Sequence, residues 1–326
     1  METQTESKQQ LLDSYRMMVV IRQFEERAAQ LYTQAHIGGY CHLNIGEEAT
    51  VVGALGVLRP TDYVYTAYRE HGHALALGSD AGAVMAELCG KSTGVSKGRG
   101  GSMHLFDLEH GLMGGYGIVG GHIPLAVGAA LAIQYRQEDN IVVCIFGEGA
   151  TNIGSFHESL NMAKIYHLPV LFLCVNNQYA MGSEPHEDSA VPEMWMKACA
   201  YDMEAERVDG MDFFAVRDAT QRAVDSIRET GEPRFLESLT YRFRGHSMAD
   251  AGRYRTQDEV RDWQRRDPIQ LFARRLEEDG VLNTEIRKQI DSSVEAEIEE
   301  VTQFALESPD PSVDDLYKYV YTEDGQ

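Results

Sequence analysis

The segment that decides the fold, residues 141–177, reads IVVCIFGEGATNIGSFHESLNMAKIYHLPVLFLCVNN. Its two continuous apolar runs, residues 141–146 and 170–175, are typical of strands buried on both faces of a sheet. Between them, residues 155–166 have the length and composition of a helix. Strand, helix and strand at this spacing predict a parallel βαβ unit.

The flanking sequence extends the same α/β pattern. Helices are predicted around residues 9–34, 46–58, 80–89, 124–135 and 214–230, and strands around residues 205–208 and 234–241. In the first of these helices, apolar residues recur at helical spacing. This pattern predicts an amphipathic helix with Arg and Glu on its opposite face. We therefore predict one α/β domain over residues 1–326, with a parallel sheet, an N-terminal helical arm (about 8–35) and a C-terminal helical tail (about 268–326).

Residues 90–128 are rich in glycine and cannot form a regular helix or strand throughout. Apolar residues such as Leu105, Phe106 and Ile118 are spread along the segment and argue against disorder. A long ordered loop of this kind is usually functional.

The composition excludes several classes of protein. A net charge of −22 opposes binding to nucleic acid or to an anionic membrane, and 43% hydrophobic residues permit a large core. The five cysteines include no C-x-x-C pair, and the polar start METQTESKQQ has no pattern of a targeting signal. We therefore expect a cytoplasmic enzyme with neither a nucleic-acid nor a membrane partner.

Polar residues follow both apolar strands of the central unit. Gly147-Glu148-Gly149 comes after the first strand, and Asn176-Asn177 comes after the second. Ligands bind beyond the carboxyl ends of parallel strands, and a following helix favours an anion there. Carboxylate and amide oxygens are suitable ligands for Mg²⁺. Phosphate oxygens would complete its octahedral coordination. The pattern predicts a metal–diphosphate site, although a glycine turn of this kind also occurs in ordinary strand-to-helix connections.

Two other glycine motifs fail on spacing. A dinucleotide fingerprint requires a glycine three places after Gly149, but the next glycine is Gly154. Gly90-Lys91-Ser92 resembles the end of a P-loop, but Met85 occupies the place of its first glycine. A nicotinamide-binding dehydrogenase is therefore disfavoured.

Twenty-six residues lie between Gly149 and Asn176, a spacing that resembles the cofactor motif of thiamine-diphosphate enzymes. Further motifs extend the resemblance: YRMM (15–18), YCHL (40–43), TAYR (66–69) with HG (71–72), KGRGGSMH (97–104), GIVG (117–120) and YRFRGHSM (241–248). Together they resemble, from about residue 11 to residue 321, the alpha subunits of the pyruvate dehydrogenase family of thiamine-diphosphate-dependent 2-oxo-acid dehydrogenases.

The resemblance implies a role for each matching residue. The metal would be bound by Glu148, Asn177 and the carbonyl of Tyr179. The cofactor would be bound by Tyr68, Arg69, Gly117, Val119, Gly149, Ala150, Arg242 and His246. The catalytic residues would be His42 and His246, while His71 and His104 are expected near the site and His73 in packing. His122 is assigned no role.

Two features qualify these roles. The family has Asp where this chain has Glu148, and one extra methylene moves the carboxylate by about 1.5 Å. Residues 241–255 carry four arginines and one Asp, which favours an active-site loop that orders with the cofactor rather than a solvated surface loop.

Ser247 matches a serine that is phosphorylated in mitochondrial members, a control that we expect to be absent here.

The resemblance also implies a function. Thiamine diphosphate with Mg²⁺ would support oxidative decarboxylation of pyruvate, with transfer of the acetyl group to a lipoyl-bearing acyltransferase core. A separate beta subunit, in an α2β2 heterotetramer, would supply the glutamate that activates the cofactor. An acetoin or branched-chain 2-oxo-acid dehydrogenase and a non-catalytic assembly subunit remain alternatives.

Overall fold

The computed structural model describes residues 7–318 and residue 320. The expectations for residues 1–6, which include most of the region tested for a targeting signal, lie outside the described residues. The same holds for residues 319 and 321–326 at the end of the expected C-terminal tail.

A six-stranded parallel sheet forms the centre of the molecule. The strands are β1 Tyr63–Ala67, β2 Leu112–Tyr116, β3 Val142–Gly147, β4 Val170–Asn176, β5 Glu204–Asp209 and β6 Arg234–Leu239. Their order is β2-β1-β3-β4-β6-β5, and every pairing is parallel. The predicted α/β class and parallel sheet are therefore confirmed. Neither β1 nor β2 was predicted, and β2 contains Gly114 and Gly115 within the glycine-rich segment.

Helices cover the sheet, and further helices form the two ends of the chain. They are α1 Lys8–Thr33, α2 Glu48–Leu55, α3 His71–Leu77, α4 Ala81–Leu88, α5 Ile123–Arg136, α6 Gly154–Ile165, α7 Pro185–Asp188, α8 Trp195–Ala198, α9 Phe213–Thr230, α10 Gln257–Gln264, α11 Pro268–Glu278 and α12 Thr284–Glu307. Local capping determines where several begin: Ser7 and Gln10 form a capping box at α1, and Asn283 caps α12. Within the described residues, no helix combines the length and apolar character needed to cross a bilayer.

The sheet separates two hydrophobic cores, because successive side chains of a strand point to opposite faces. On β4, Phe172 packs into one core together with α5 and α6. Its neighbours Leu171 and Leu173 pack into the other core with α1, α2 and α9. Burial on both faces explains why β3 and β4 appear in the sequence as uninterrupted apolar runs.

The amphipathic pattern predicted for α1 is wrong at Glu25. This residue lies in the interior instead of on the polar face, and its Oε2 is 2.8 Å from Nδ1 of the buried His71. Burial acts to lower the pKa of His71, but the charge and hydrogen bond of Glu25, together with Glu70 and the Ser102 backbone, outweigh it and raise the pKa. A buried carboxylate is tolerated in this helix because it is paired and hydrogen-bonded.

Truncation of Phe172 tests the packing of the central strand. We expect Phe172→Ala to lower the free energy of unfolding by about 3–5 kcal/mol, because the cavity left on β4 cannot collapse. Tyr135→Ala, at a position that is 88% exposed, is the control and should change it by less than about 0.5 kcal/mol. Urea unfolding followed by circular dichroism measures both, and equal effects would contradict the core assignment.

Candidate active site

The ends of β3 and β4 lie side by side. The two strands pair with Gly147 opposite Val175, so they finish at the same edge of the sheet. The short 3-10 helix Glu148–Asn152 follows β3, and the Asn177 backbone N–H donates to Glu148 Oε2 at 3.4 Å. The sequence prediction that these two residues meet is therefore confirmed.

Both side chains line a cavity of about 270 Å³. Ten of the predicted site residues line it: Tyr68, Arg69, Val119, Glu148, Gly149, Ala150, Asn177, Tyr179, Arg242 and His246. Two others do not. The His42 ring lies behind the cavity wall. Its centroid is 4.5 Å from that of the Tyr68 ring and 5.1 Å from that of the His246 ring. Gly117 lies beside His104, whose ring would be 3.3 Å from a Cβ added there.

Arg242 connects the predicted metal ligands. Its side chain is almost fully buried, and Nη1 donates to the Tyr179 carbonyl at 2.9 Å and to Asn177 Oδ1 at 3.3 Å. These two oxygens therefore face a common point. The other arginines of residues 241–255 do not line the cavity: Arg244 and Arg253 are exposed, and Arg255 donates to the carbonyls of Arg242 and Arg244.

The residues around this point fit a hard divalent cation. Glu148 Oε1 is buried and has no hydrogen-bond partner among the described residues, which leaves its lone pairs available. Burial raises the pKa of Glu148 to about 7, and repulsion from Glu47 acts in the same direction. No described group of three or more His, Cys, Asp or Glu side chains could hold a metal. A cation here would therefore depend on amide, carbonyl and ligand oxygens as well.

Arg69 gives the cavity a second guanidinium. Nη1 donates to the Leu43 carbonyl at 2.7 Å and Nη2 to the His246 carbonyl at 2.9 Å, so the group is held in place. Burial lowers its pKa, but arginine remains protonated in proteins. Arg69 keeps N–H groups that could donate to phosphate oxygens, whereas the N–H groups of Arg242 all go to protein acceptors. Two fixed guanidinium charges beside a cation site nevertheless suit a diphosphate.

The histidines near the cavity are neutral. Burial is the main reason that the pKa of His42 falls to about 2 and that of His246 to about 4, and Arg69 adds repulsion in both cases. The Nδ1 atoms of both rings are buried and have no hydrogen-bond partner in the described part of the chain. Each Nδ1 is therefore free to donate or accept a hydrogen bond, according to the tautomer of its ring.

Other histidines differ from expectation. His73, which was assigned to packing, lines the cavity and forms a 2.9 Å hydrogen bond between Nδ1 and Thr66 Oγ1. His71 and His104 are not among the residues that line it. His122, to which no role was given, also lines the cavity, with Nε2 2.8 Å from the Ile145 carbonyl.

Glu47 is the most important residue that the sequence reasoning missed. It lines the cavity, is 3% exposed, and accepts a 2.8 Å hydrogen bond from Asn177 Nδ2. The only signal in the sequence was a pair of adjacent glutamates at the start of a helix whose other residues are apolar or small. Acidic residues are common in a first helical turn, so this signal did not distinguish a site residue.

Glu70, next to Arg69, is a buried acid outside the cavity wall. Oε1 accepts a 3.1 Å hydrogen bond from the Leu105 N–H, whereas Oε2 has no partner among the described residues. A Cβ added at Gly115 would lie 1.9 Å from Oε1, so glycine in β2 makes room for this carboxyl group. Burial raises the pKa of Glu70 to about 8.

A parallel sheet whose strand ends enclose a cavity with cation- and anion-binding groups is typical of enzymes that bind phosphorylated cofactors. Comparison with known proteins makes the class specific. The chain belongs to the dehydrogenase E1 component family, whose model matches residues 16–314.

Individual relatives cover nearly the whole chain. It is similar to the pyruvate dehydrogenase E1 component subunit alpha of Rhizobium meliloti (strain 1021), with 45% identity over 95% of this chain and 90% of the relative. The protein of the same name from Porphyra purpurea is 40% identical over 97% of this chain and 94% of the relative. That of Zymomonas mobilis is 43% identical over 95% and 88% respectively.

The raised pKa of Glu70 predicts a pH-dependent stability. Its unfolded value is 4.5 and its folded value is about 8, so between these values the folded chain holds a proton that the unfolded chain has released. The contribution of Glu70 therefore destabilises the fold as pH rises through this window. Glu70→Gln removes the titration and keeps an acceptor for Leu105.

We expect the stability of Glu70→Gln relative to the unsubstituted chain to increase between pH 5 and pH 8, by up to a few kcal/mol. Urea unfolding of both proteins at several pH values measures the difference in their free energies of unfolding. Groups that titrate equally in both proteins do not contribute to this difference. A difference that stays constant with pH would contradict the raised pKa.

Proposed function

We propose that this chain is the alpha subunit of a pyruvate dehydrogenase and that it holds thiamine diphosphate through Mg²⁺. The observation that carries the proposal is the shared cavity of Glu148 and Asn177, with Arg69 and Arg242 in its wall. An acid and an amide suit the cation, and two guanidinium groups suit the diphosphate.

The similar proteins support pyruvate as the substrate. The relatives from Rhizobium meliloti, Porphyra purpurea and Zymomonas mobilis are all named for pyruvate dehydrogenase. An acetoin or branched-chain 2-oxo-acid dehydrogenase is therefore less favoured. A non-catalytic assembly subunit is also less favoured, because the buried Glu148 Oε1 has no hydrogen-bond partner among the described residues and so remains available to a ligand.

The proposed binding roles are those that the family resemblance implies, and most of the residues concerned line the cavity. Glu148 Oε1, Asn177 Oδ1 and the Tyr179 carbonyl would bind Mg²⁺, with Gly149 and Ala150 close to the diphosphate. Arg69 and Tyr68 would contact the diphosphate, and Arg242 and His246 would lie near it. Gly117 and Val119 would contact the aminopyrimidine ring through their backbones.

Bound in this way, thiamine diphosphate would supply the electron sink that decarboxylation of a 2-oxo acid requires. The chain itself would provide two neutral histidines. His246 lines the cavity, and His42 lies against it. The free Nδ1 atom of His246 would donate or accept a hydrogen bond at the substrate, and the buried surroundings would exclude water. His42 would support the His246 ring from behind the cavity wall.

A partner is part of the proposal. Exposed apolar side chains occur on and beside α5 and α6: Ile118, Leu125, Leu131, Tyr135, Met162, Ile165 and Tyr166. Apolar surface of this kind is characteristic of protein interfaces. We propose that it is covered by a beta subunit in an α2β2 heterotetramer, which passes the acetyl group to a lipoyl acyltransferase core. The expected cytoplasmic location stays a prediction.

Removal of the Glu148 charge tests the metal site. We expect Glu148→Gln to weaken Mg²⁺ binding by more than about 10-fold in the presence of thiamine diphosphate, because a neutral amide is a poorer ligand for a hard cation. The exposed Glu158 on α6 offers a control, since Glu158→Gln should leave the affinity unchanged. Calorimetry measures both. Unchanged affinity in Glu148→Gln and in Glu148→Asp would show that Glu148 is not a ligand.

Reconstitution tests the need for a partner and the choice of substrate. We expect the purified chain alone to have no decarboxylase activity, because the glutamate that activates the cofactor is proposed to come from the beta subunit. Activity should appear when a beta subunit is added. Parallel assays with pyruvate, acetoin and 3-methyl-2-oxobutanoate should favour pyruvate, and substantial turnover without a second polypeptide would contradict the proposal.

A further inference from the structure

Two adjacent glutamates at the start of α2 point in different directions. Glu48 Oε1 is 2.5 Å from Arg22 Nε, and this buried ion pair joins α2 to α1. Glu47 instead lines the cavity. The connection between the two helices is thus made by Glu48, and Glu47 is free to act on the site.

The side-chain amide of Asn177 is held from both sides. Nδ2 donates to Glu47 Oε1 at 2.8 Å, and Oδ1 accepts from Arg242 Nη1 at 3.3 Å. Turning the amide by half a rotation would place its oxygen against a carboxylate and its NH₂ group against a guanidinium. Both contacts would bring like groups together, so the observed orientation is strongly preferred.

The Glu47 carboxylate is itself fixed. Asn44 Nδ2 donates to Oε2 at 2.5 Å, and Arg69 Nε lies 4.0 Å from Oε1. A buried acid that is hydrogen-bonded and lies near a counter-charge can keep one geometry. Glu47 therefore offers Asn177 an acceptor at a defined place.

We infer that Glu47 is a positioning residue that holds the Asn177 amide with its oxygen turned towards the divalent cation. The inference rests on the proposed function, because it assumes that a cation binds at Asn177. Partners of this kind orient metal ligands in many proteins, and their loss typically reduces metal affinity by about 10–100-fold.

The neighbouring residue provides a matched control. Asn176 Nδ2 donates to Glu237 Oε1 at 2.6 Å, and Glu237 is fully buried. This pair also joins an asparagine amide to a buried carboxylate, but neither residue is among those that line the cavity. Shortening Glu237 should therefore disturb packing to a similar degree without affecting the cation.

Three variants, assembled with the beta subunit, separate the possible roles of Glu47. Glu47→Gln keeps an acceptor oxygen at the same reach and removes the charge. Glu47→Asp keeps the charge and retracts the acceptor by about 1.5 Å. Glu237→Asp makes the same retraction at the control pair. Calorimetric titration with Mg²⁺ in the presence of thiamine diphosphate gives the affinity, and thermal unfolding shows that each complex is folded.

We expect Glu47→Gln to retain most of the affinity, Glu47→Asp to lose about 10-fold or more, and Glu237→Asp to match the unsubstituted complex. The reverse order at position 47, with Asp better than Gln, would overturn the inference in favour of a direct ligand or a purely electrostatic role. Equal affinity in all three variants would show that Glu47 only packs. If the unsubstituted complex bound neither Mg²⁺ nor thiamine diphosphate, the proposed function would fail first.

Discussion

The in-register pairing of β3 with β4 is the constraint on which the site depends. Gly147 lies opposite Val175, so both strands end at the same level and deliver Glu148 and Asn177 to one cavity. A slip of one residue would turn every side chain of one strand to the other face of the sheet. Register is protected because both faces are buried: Phe172 and Cys174 pack on one side, and Leu171 and Leu173 on the other. The two hydrophobic cores therefore determine the geometry of the polar site at the strand ends.

The cavity balances charges that would be costly alone. Glu47 and Glu148 face Arg69 and Arg242, and all four are buried. A buried charge is tolerated when it is paired and hydrogen-bonded, and three of these groups satisfy that condition through backbone carbonyls or asparagine amides. Glu148 is the exception, since one of its oxygens has no partner among the described residues. Burial raises its pKa to about 7, and a cation is the ligand that would most directly relieve the cost of ionising it.

Residue patterns alone predicted the part of the site that follows the two apolar runs, and the family resemblance supplied distant residues such as Tyr68 and Arg242. The apolar runs of β3 and β4 carry their own signal, because strands buried on both faces have no polar positions. Glu148 and Asn177 follow those strands directly. The remainder depended on tertiary structure: β2 includes Gly114 and Gly115, which weaken any local strand signal, and it is completed by pairing with β1. Glu47 reaches Asn177 across 130 positions, and a glutamate at the start of a helix has no local feature that identifies such a contact.

Arg242 suggests why a cation and a diphosphate would bind together. The Tyr179 carbonyl and Asn177 Oδ1 are buried oxygens that need a donor, and the Arg242 guanidinium satisfies both. Each of these oxygens has a second lone pair, so a divalent cation at Glu148 would bind them while Arg242 stays in place. The cation would then lie close to the guanidinium, and the two positive charges would repel each other. A diphosphate beside both would offset this repulsion and would give the cation further oxygen ligands. Under the proposed function, binding of the metal and binding of the cofactor would therefore favour each other.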